Sequence, residues 1–190
     1  MILARPVPLR EWRPELPPGE LRSISLHWTG GDYAAVFPAY HFCLTGSREL
    51  VVHHTHDLRS NMRDVRLAPE LPYAAHTRGR NSWSIGLAVA AMQDARPDDF
   101  GAAPVAPEQL EGLCRVAARL ARAYAIPPAA IRTHAEAALA DGYFGARADE
   151  RWDIARLRPA PERLVPAEAT ATGEWFRTRI TALLADAAEP

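Results

Sequence analysis

Ser84-Ile85-Gly86-Leu87-Ala88-Val89-Ala90 is the stretch that decides the fold. Its apolar residues run almost without interruption between polar flanks, the pattern of a strand covered on both faces and placed at the centre of a sheet. Working outward, Leu21 to His27 alternates Leu21, Ser23 and Ser25 against Ile24 and Leu26, which suits a first core strand ending at His27. Gly30 and Gly31 break it, and Asp32 can cap a short helix from Tyr33 to Ala39, interrupted by Pro38. Tyr40 to Leu44 and Glu49 to His54 read as two strands joined by the turn Thr45-Gly46-Ser47-Arg48. Asp57 to Tyr73 is polar and aperiodic, a loop with a helical turn bordering a groove.

On the far side of the central run, Pro107 to Ala125 places Leu110, Leu113, Val116, Ala117, Leu120 and Tyr124 at helical spacing, with Arg115, Arg119 and Arg122 toward solvent. Pro127 and Pro128 end that helix, Ile131 to His134 is a short extended segment, and Trp175 to Ala185 reads as a final helix. Strands interleaved with helices predict an α/β domain. Its expected organisation is an extended Pro-rich arm over 1–20, a main domain over 21–158, and a Pro-rich connection with a C-terminal helix over 159–190.

A chain of 190 residues suits one compact domain that needs neither disulfides nor oligomerisation, so a monomer is expected. The formal net charge of -1 carries no global positive field, which argues against nucleic acid as a partner. All 22 basic residues are arginine, so any role usually given to lysine falls to arginine here. The two cysteines, Cys43 and Cys114, lie in segments that read as buried and are expected to stay free. No signal-peptide pattern and no apolar run near 20 residues is present, so synthesis in the cytoplasm without membrane insertion is expected.

The chemistry lies in the histidines. His27 closes the first strand, His134 follows Ile-Arg-Thr, and Asp153 stands in Glu-Arg-Trp-Asp-Ile. A zinc hydrolase needs three such side chains and an open fourth position. Residues this far apart converge only through the fold, so a metal ligand and an ordinary hydrogen-bonded histidine are both open readings at this point.

Five ordered blocks between about Ile24 and Leu157 now matter: His27-Trp28-Thr29; Tyr40-His41-Phe42; Ala75-His76-Thr77 with Asn81 and Ser84-Ile85-Gly86; Thr133-His134-Ala135-Glu136; and Arg151-Trp152-Asp153. In these the chain resembles the type 2 N-acetylmuramoyl-L-alanine amidases, a family that includes peptidoglycan recognition proteins and the amidase-type lysozymes of phages. The resemblance implies a central mixed sheet flanked by helices, making 21–158 a zinc amidase domain. It also implies one Zn2+ per chain held by His27, His134 and Asp153, and cleavage of the bond between N-acetylmuramic acid and L-alanine in peptidoglycan or muropeptides. His76, with Thr77, Asn81 and Trp28, is expected to line the substrate groove, the other reading of His76 being a hydrogen-bonded ring that holds the loop from Thr77 to Asn81.

The chain also departs from its relatives. Many carry a glutamate in the central strand where this sequence has Ala88, and lysine where it has Arg151. Tyr40 matches a tyrosine of the phage branch and of catalytic recognition proteins and is the candidate to hydrogen-bond water or an oxyanion, the other reading being a tyrosine packed at a strand start; Arg151 is the candidate cation, or else pairs with Glu150 or Asp149. Glu136 either orients His134 or faces water. Asp141-Gly142-Tyr143-Phe144-Gly145 is expected to loop out beside the site and contact the peptide stem. His53, His54 and His56 read as a solvated strand end rather than a second metal cluster, and His41 as a core residue or one that supports the ligands. A lytic, endolysin-like amidase is the leading function. A cytoplasmic muropeptide-recycling amidase and a non-catalytic peptidoglycan-binding protein are the alternatives, and a His-Glu-x-x-His protease motif is absent.

Overall fold

The computed structural model describes residues 6–46, 49–52 and 56–186. Six strands, β1 (Val7–Pro8), β2 (Ser23–Trp28), β3 (Phe42–Leu44), β4 (Glu49–Val52), β5 (Ser84–Val89) and β6 (Ile131–Thr133), form one mixed sheet in the order β1-β4-β3-β5-β2-β6. β3, β5, β2 and β6 run parallel, while β4 and β1 add an antiparallel edge. The helices are α1 (Pro107–Tyr124), α2 (His134–Ala140) and α3 (Pro166–Ala185), so the fold is α/β with Ser84–Val89 at the sheet's interior, as its apolar run predicts.

The two faces of the sheet differ in chemistry. Ile24, Leu26 and Trp28 share one face with Ile85, Leu87 and Val89 and with Phe42 and Leu44, because paired residues of neighbouring strands point the same way. This apolar face receives α1, where Gly112 leaves room for Leu44: an added Cβ would sit 2.5 Å from Leu44 Cδ2. The other face carries Ser25, His27, Ser84, Gly86, Ala88 and Cys43, all small or polar. The histidines gather on this small-residue face.

Local chemistry explains the ends of the helices. Pro107 opens α1, Gln109 Oε1 accepts the Ala106 N–H at 3.0 Å, and Ala125 closes the helix at φ 52° before Pro127. α3 begins at Pro166 rather than Trp175, and buries Phe176 and Ile180. Its first turn is held by Glu168, which accepts from Val165 N at 3.0 Å and from the buried Arg156 at 2.6 Å. No helix among the described residues is long and apolar enough to cross a membrane.

Several expectations change. Tyr33 to Ala39 forms turns: Asp32 Oδ1 accepts from Ala34 N, but Pro38 has no N–H with which to continue a helical ladder. The described part of the N-terminal arm, residues 6–20, contributes β1 to the sheet edge and buries Trp12 against Phe42, with ring centroids 5.4 Å apart. Arg119 turns from solvent to cover Trp12, donating to its carbonyl at 2.6 Å, and Arg122 donates to the carbonyls of Leu183 and Leu184. The loop after Asp57 contains one 3-10 turn, Leu58–Asn61. Cys43 in β3 and Cys114 in α1 are buried free thiols, as expected, and burial pushes both up to about 12. Ser47 and Arg48 of the expected hairpin turn, and His53 and His54, lie outside the described residues.

Candidate metal centre

Register brings the first two residues of the cluster together. Leu26 of β2 pairs with Thr133 of β6, so His27 and His134 leave the carboxyl ends of adjacent parallel strands side by side. That is where open α/β sheets place their ligand sites. Thr133 then caps α2: its Oγ1 accepts from Glu136 N at 3.2 Å and its own N–H reaches Glu136 Oε2 at 3.1 Å. Asp153 comes from the far side of the sequence, in a turn closed by Ala155 N to the Trp152 carbonyl at 2.8 Å. The next residue, Ile154, is buried at φ 60°, a left-handed conformation that a β-branched residue holds only when its surroundings impose it. The Asp153 carbonyl accepts from Ala135 N at 3.1 Å, which ties this turn to α2.

Three atoms converge as a result. His27 Nδ1 lies 3.1 Å from His134 Nδ1 and 3.0 Å from Asp153 Oδ2, and His134 Nδ1 lies 2.9 Å from the same oxygen. All three residues are buried, and among the described residues they are the group of His, Cys, Asp and Glu that could hold a metal ion. Tetrahedral ligands with bonds of about 2.0–2.1 Å stand about 3.3 Å apart, close to the separations here. Electrostatics agrees. Burial, outweighing the pull of Asp153, lowers His27 to about 4 and keeps it neutral. Burial alone would raise Asp153, but the imidazoles of His134 and His27 hold it below the usual carboxylate range. Two imidazole nitrogens and one carboxylate oxygen brought this close in the interior are a donor set for a divalent cation. The residues present therefore fit a divalent metal.

The neighbours of the cluster support it. Thr77 Oγ1 lies 3.2 Å from His27 Nε2 and 2.9 Å from His76 Nδ1, so the Nε2–H of His27 has an acceptor while its Nδ1 stays free as a ligand. Thr77 N donates to Asn81 Oδ1 at 2.9 Å, and Asn61 donates to the Asn81 carbonyl at 2.8 Å. His76 lies against Gly86 of β5, where an added Cβ would meet its ring at 2.5 Å. His41 accepts from Gly86 N at 2.9 Å. Tyr40 has its ring 5.0 Å from that of His27, and its hydroxyl reaches the Trp28 carbonyl at 3.4 Å. Burial first, then the Asp153 carboxylate, raises the Tyr40 hydroxyl, which keeps its proton and remains a donor.

Other expected site residues are placed differently. His76, Thr77 and Asn81 are buried, with relative exposures of 4%, 1% and 8%, and connect to His27 through Thr77. Trp28 alternates to the face opposite His27 and packs edge-on against Trp152 at 4.8 Å. Glu136 does not reach His134: its carboxylate takes the Thr133 N–H and pairs with Arg177 at 2.9 Å, fixing the helix that carries His134. Arg151 is exposed, and its Nη1 donates to the carbonyls of Ala148 at 3.1 Å and Glu150 at 2.8 Å, so it pairs with neither Glu150 nor Asp149 through their carboxylates. Ala88 pairs with His27 in the sheet and brings no polar atom to the centre. Tyr143 stands beside the centre, its ring 6.0 Å from that of His134. It belongs to the 141–145 loop that the sequence sets beside the site, between Gly142 and Gly145, both at positive φ. A groove of about 770 Å³ lined by Pro128, Leu139 and Thr178 contains none of the three cluster residues.

No protein-family model and no curated protein matches the chain. Among solved structures, a mutant form of PlyL is similar at 14% identity and a TM-score of 0.39, over 86% of this chain and 87% of that one. At that distance the likeness assigns neither activity nor residues.

Proposed function

We propose that this chain is a zinc-dependent N-acetylmuramoyl-L-alanine amidase acting on peptidoglycan in the manner of a lytic endolysin. The observation that carries the reading is the buried triangle of His27 Nδ1, His134 Nδ1 and Asp153 Oδ2, at 2.9 to 3.1 Å, on residues that also fall in the sequence blocks resembling that family. Two imidazoles and a carboxylate would hold the ion and leave its fourth position open. When bound, zinc supplies a Lewis acid for the scissile carbonyl and lowers the pKa of its water to about 7.

The protein's own groups do the rest. His27 is kept in the Nδ1-ligand tautomer by Thr77. Tyr40, protonated and beside His27, donates a hydrogen bond to the oxygen on which charge develops as the amide is attacked. Arg151, anchored through Nη1 on its own loop and near enough to Tyr40 to act electrostatically on its hydroxyl, supplies a fixed positive charge; a guanidinium does not shuttle protons. With Ala88 in place of a carboxylate, Tyr40 is the remaining neutral donor in this role.

Digestion of purified peptidoglycan followed by mass spectrometry tests the reading. The expected products are stem peptides with a free L-alanine amino terminus and intact glycan strands. Metal analysis should find about one zinc per chain, and none in His27→Ala. New reducing sugar ends, or full activity without metal, would overturn it.

A further inference from the structure

His27 has Thr77 to receive its Nε2–H, but His134 has no such partner. Its Nδ1 is directed at Asp153 and His27, so a neutral His134 offering that lone pair must carry its proton on Nε2. This nitrogen is buried and makes no hydrogen bond, a state that native proteins rarely leave unresolved. The hydroxyl of Tyr143 is in the same condition, buried and without a partner, on a ring 6.0 Å from that of His134 at an interplanar angle of 73°. An orphaned donor and an orphaned acceptor thus sit on neighbouring rings.

The backbone holds Tyr143 in this place at both ends. Its N–H donates to the Ala138 carbonyl at 2.9 Å, at the close of α2, and its carbonyl accepts from Arg151 N at 3.0 Å, two residues before Asp153. Asp141, two residues earlier, is clamped by Arg80 through two bonds of 2.6 Å. Gly142 at φ 77° and Gly145 at φ 157° give the loop the turns that aim the intervening ring at His134. The loop is therefore built from both the His134 helix and the Asp153 segment.

We propose that Tyr143 is a positioning residue of the metal centre, its hydroxyl oxygen accepting the Nε2–H of His134 when a metal is held by His27, His134 and Asp153, as Thr77 does for His27. The inference rests on the zinc reading above and deepens it. Nothing in it requires Tyr143 to touch the substrate.

The test uses the full chain stripped of metal and titrated with Zn2+ against a chromophoric chelator. Tyr143→Phe should bind zinc about 10- to 100-fold more weakly than the wild type, the scale for losing a partner behind a ligand. Its metal-free melting temperature should be unchanged or higher, because phenylalanine removes a buried hydroxyl that has no partner. A structural role would instead lower the metal-free melting temperature, and that result overturns the proposal. In the zinc-loaded wild type, nitrogen-proton correlation spectra should show the His134 Nε2–H protected from exchange and close to the Tyr143 ring protons. An Nε2–H exchanging freely with water overturns the proposal even if the variant does not fold. Equal zinc affinity in the wild type and Tyr143→Phe overturns this inference alone, whereas a wild type that takes up no zinc overturns the zinc reading as well.

Discussion

Tyr40 is the side chain on which turnover depends most directly in this reading, because the centre has no carboxylate at Ala88 and Arg151 is tied to its own loop. Its ring lies against His27 without coordinating anything, and its hydroxyl has only a long bond to the Trp28 carbonyl at 3.4 Å. A donor so weakly engaged can turn to a developing oxyanion at little cost. Tyr40→Phe should therefore keep its zinc and its melting temperature while lowering kcat roughly 10²-fold, the scale for removing one preorganised donor. KM should change little. Steady-state kinetics on a soluble muropeptide, with zinc content measured in parallel, checks this; loss of zinc in the variant would mean that Tyr40 supports the ligands instead.

Among the elements, β5 links the sheet to the centre. Its residues alternate between large side chains facing α1 and the small Ser84, Gly86 and Ala88 facing the histidines. Gly86 accepts from His41 N through its carbonyl, donates to His41 Nδ1, and leaves its α-carbon bare under the His76 ring. Gly86→Ala should put a methyl 2.5 Å from Cγ of the buried His76 ring. Overpacking of that kind costs about 1–3 kcal/mol. Because His76 bears on Thr77, and Thr77 on His27, zinc affinity should fall along with stability. Urea denaturation and chelator competition on the same variant measure both, and an unchanged urea midpoint would show that the ring has room to move.

At the scale of the whole molecule, the small-residue face stores uncharged imidazoles in the interior. Burial lowers His27 and His41 to about 4 each and His76 well below its ordinary value. The unfolded chain titrates these groups near 6.5, so between about 6.5 and about 4 it binds protons that the folded chain refuses. Stability should therefore be level above pH 7 and fall as the pH drops through that window, each such histidine removing up to about 3 kcal/mol. Urea midpoints of the metal-free protein at pH 7.5, 6 and 5 should decrease in that order. A midpoint independent of pH would mean that the rings are hydrated or already charged in the fold.

At the same scale, the fold class was legible because burial on both faces marks a sequence locally: Ser84–Val89 had to be an interior strand, and α1 followed from its 3.6-residue period. Local pattern also misled where a single missing donor decides, as at Pro38, where the expected helix gives way to turns. The residue types for a metal centre were visible in His27, His134 and Asp153, and their meeting was implied only by the resemblance, not by spacing or periodicity. It depends on the register of Leu26 with Thr133 and on a strained turn at Ile154, neither of which leaves a periodic trace. The same holds for the partners. Alternation sends Trp28 to the face away from His27, Glu136 spends its carboxylate on Thr133 and Arg177, and Thr77 and Tyr143 reach the ligand rings through long-range packing. Sequence alone determined which groups could bind a cation and that they sit in an α/β frame. Only the tertiary structure decided which atoms converge and what holds each ring, because hydrogen bonds between residues far apart in the chain are set by strand register and side-chain direction.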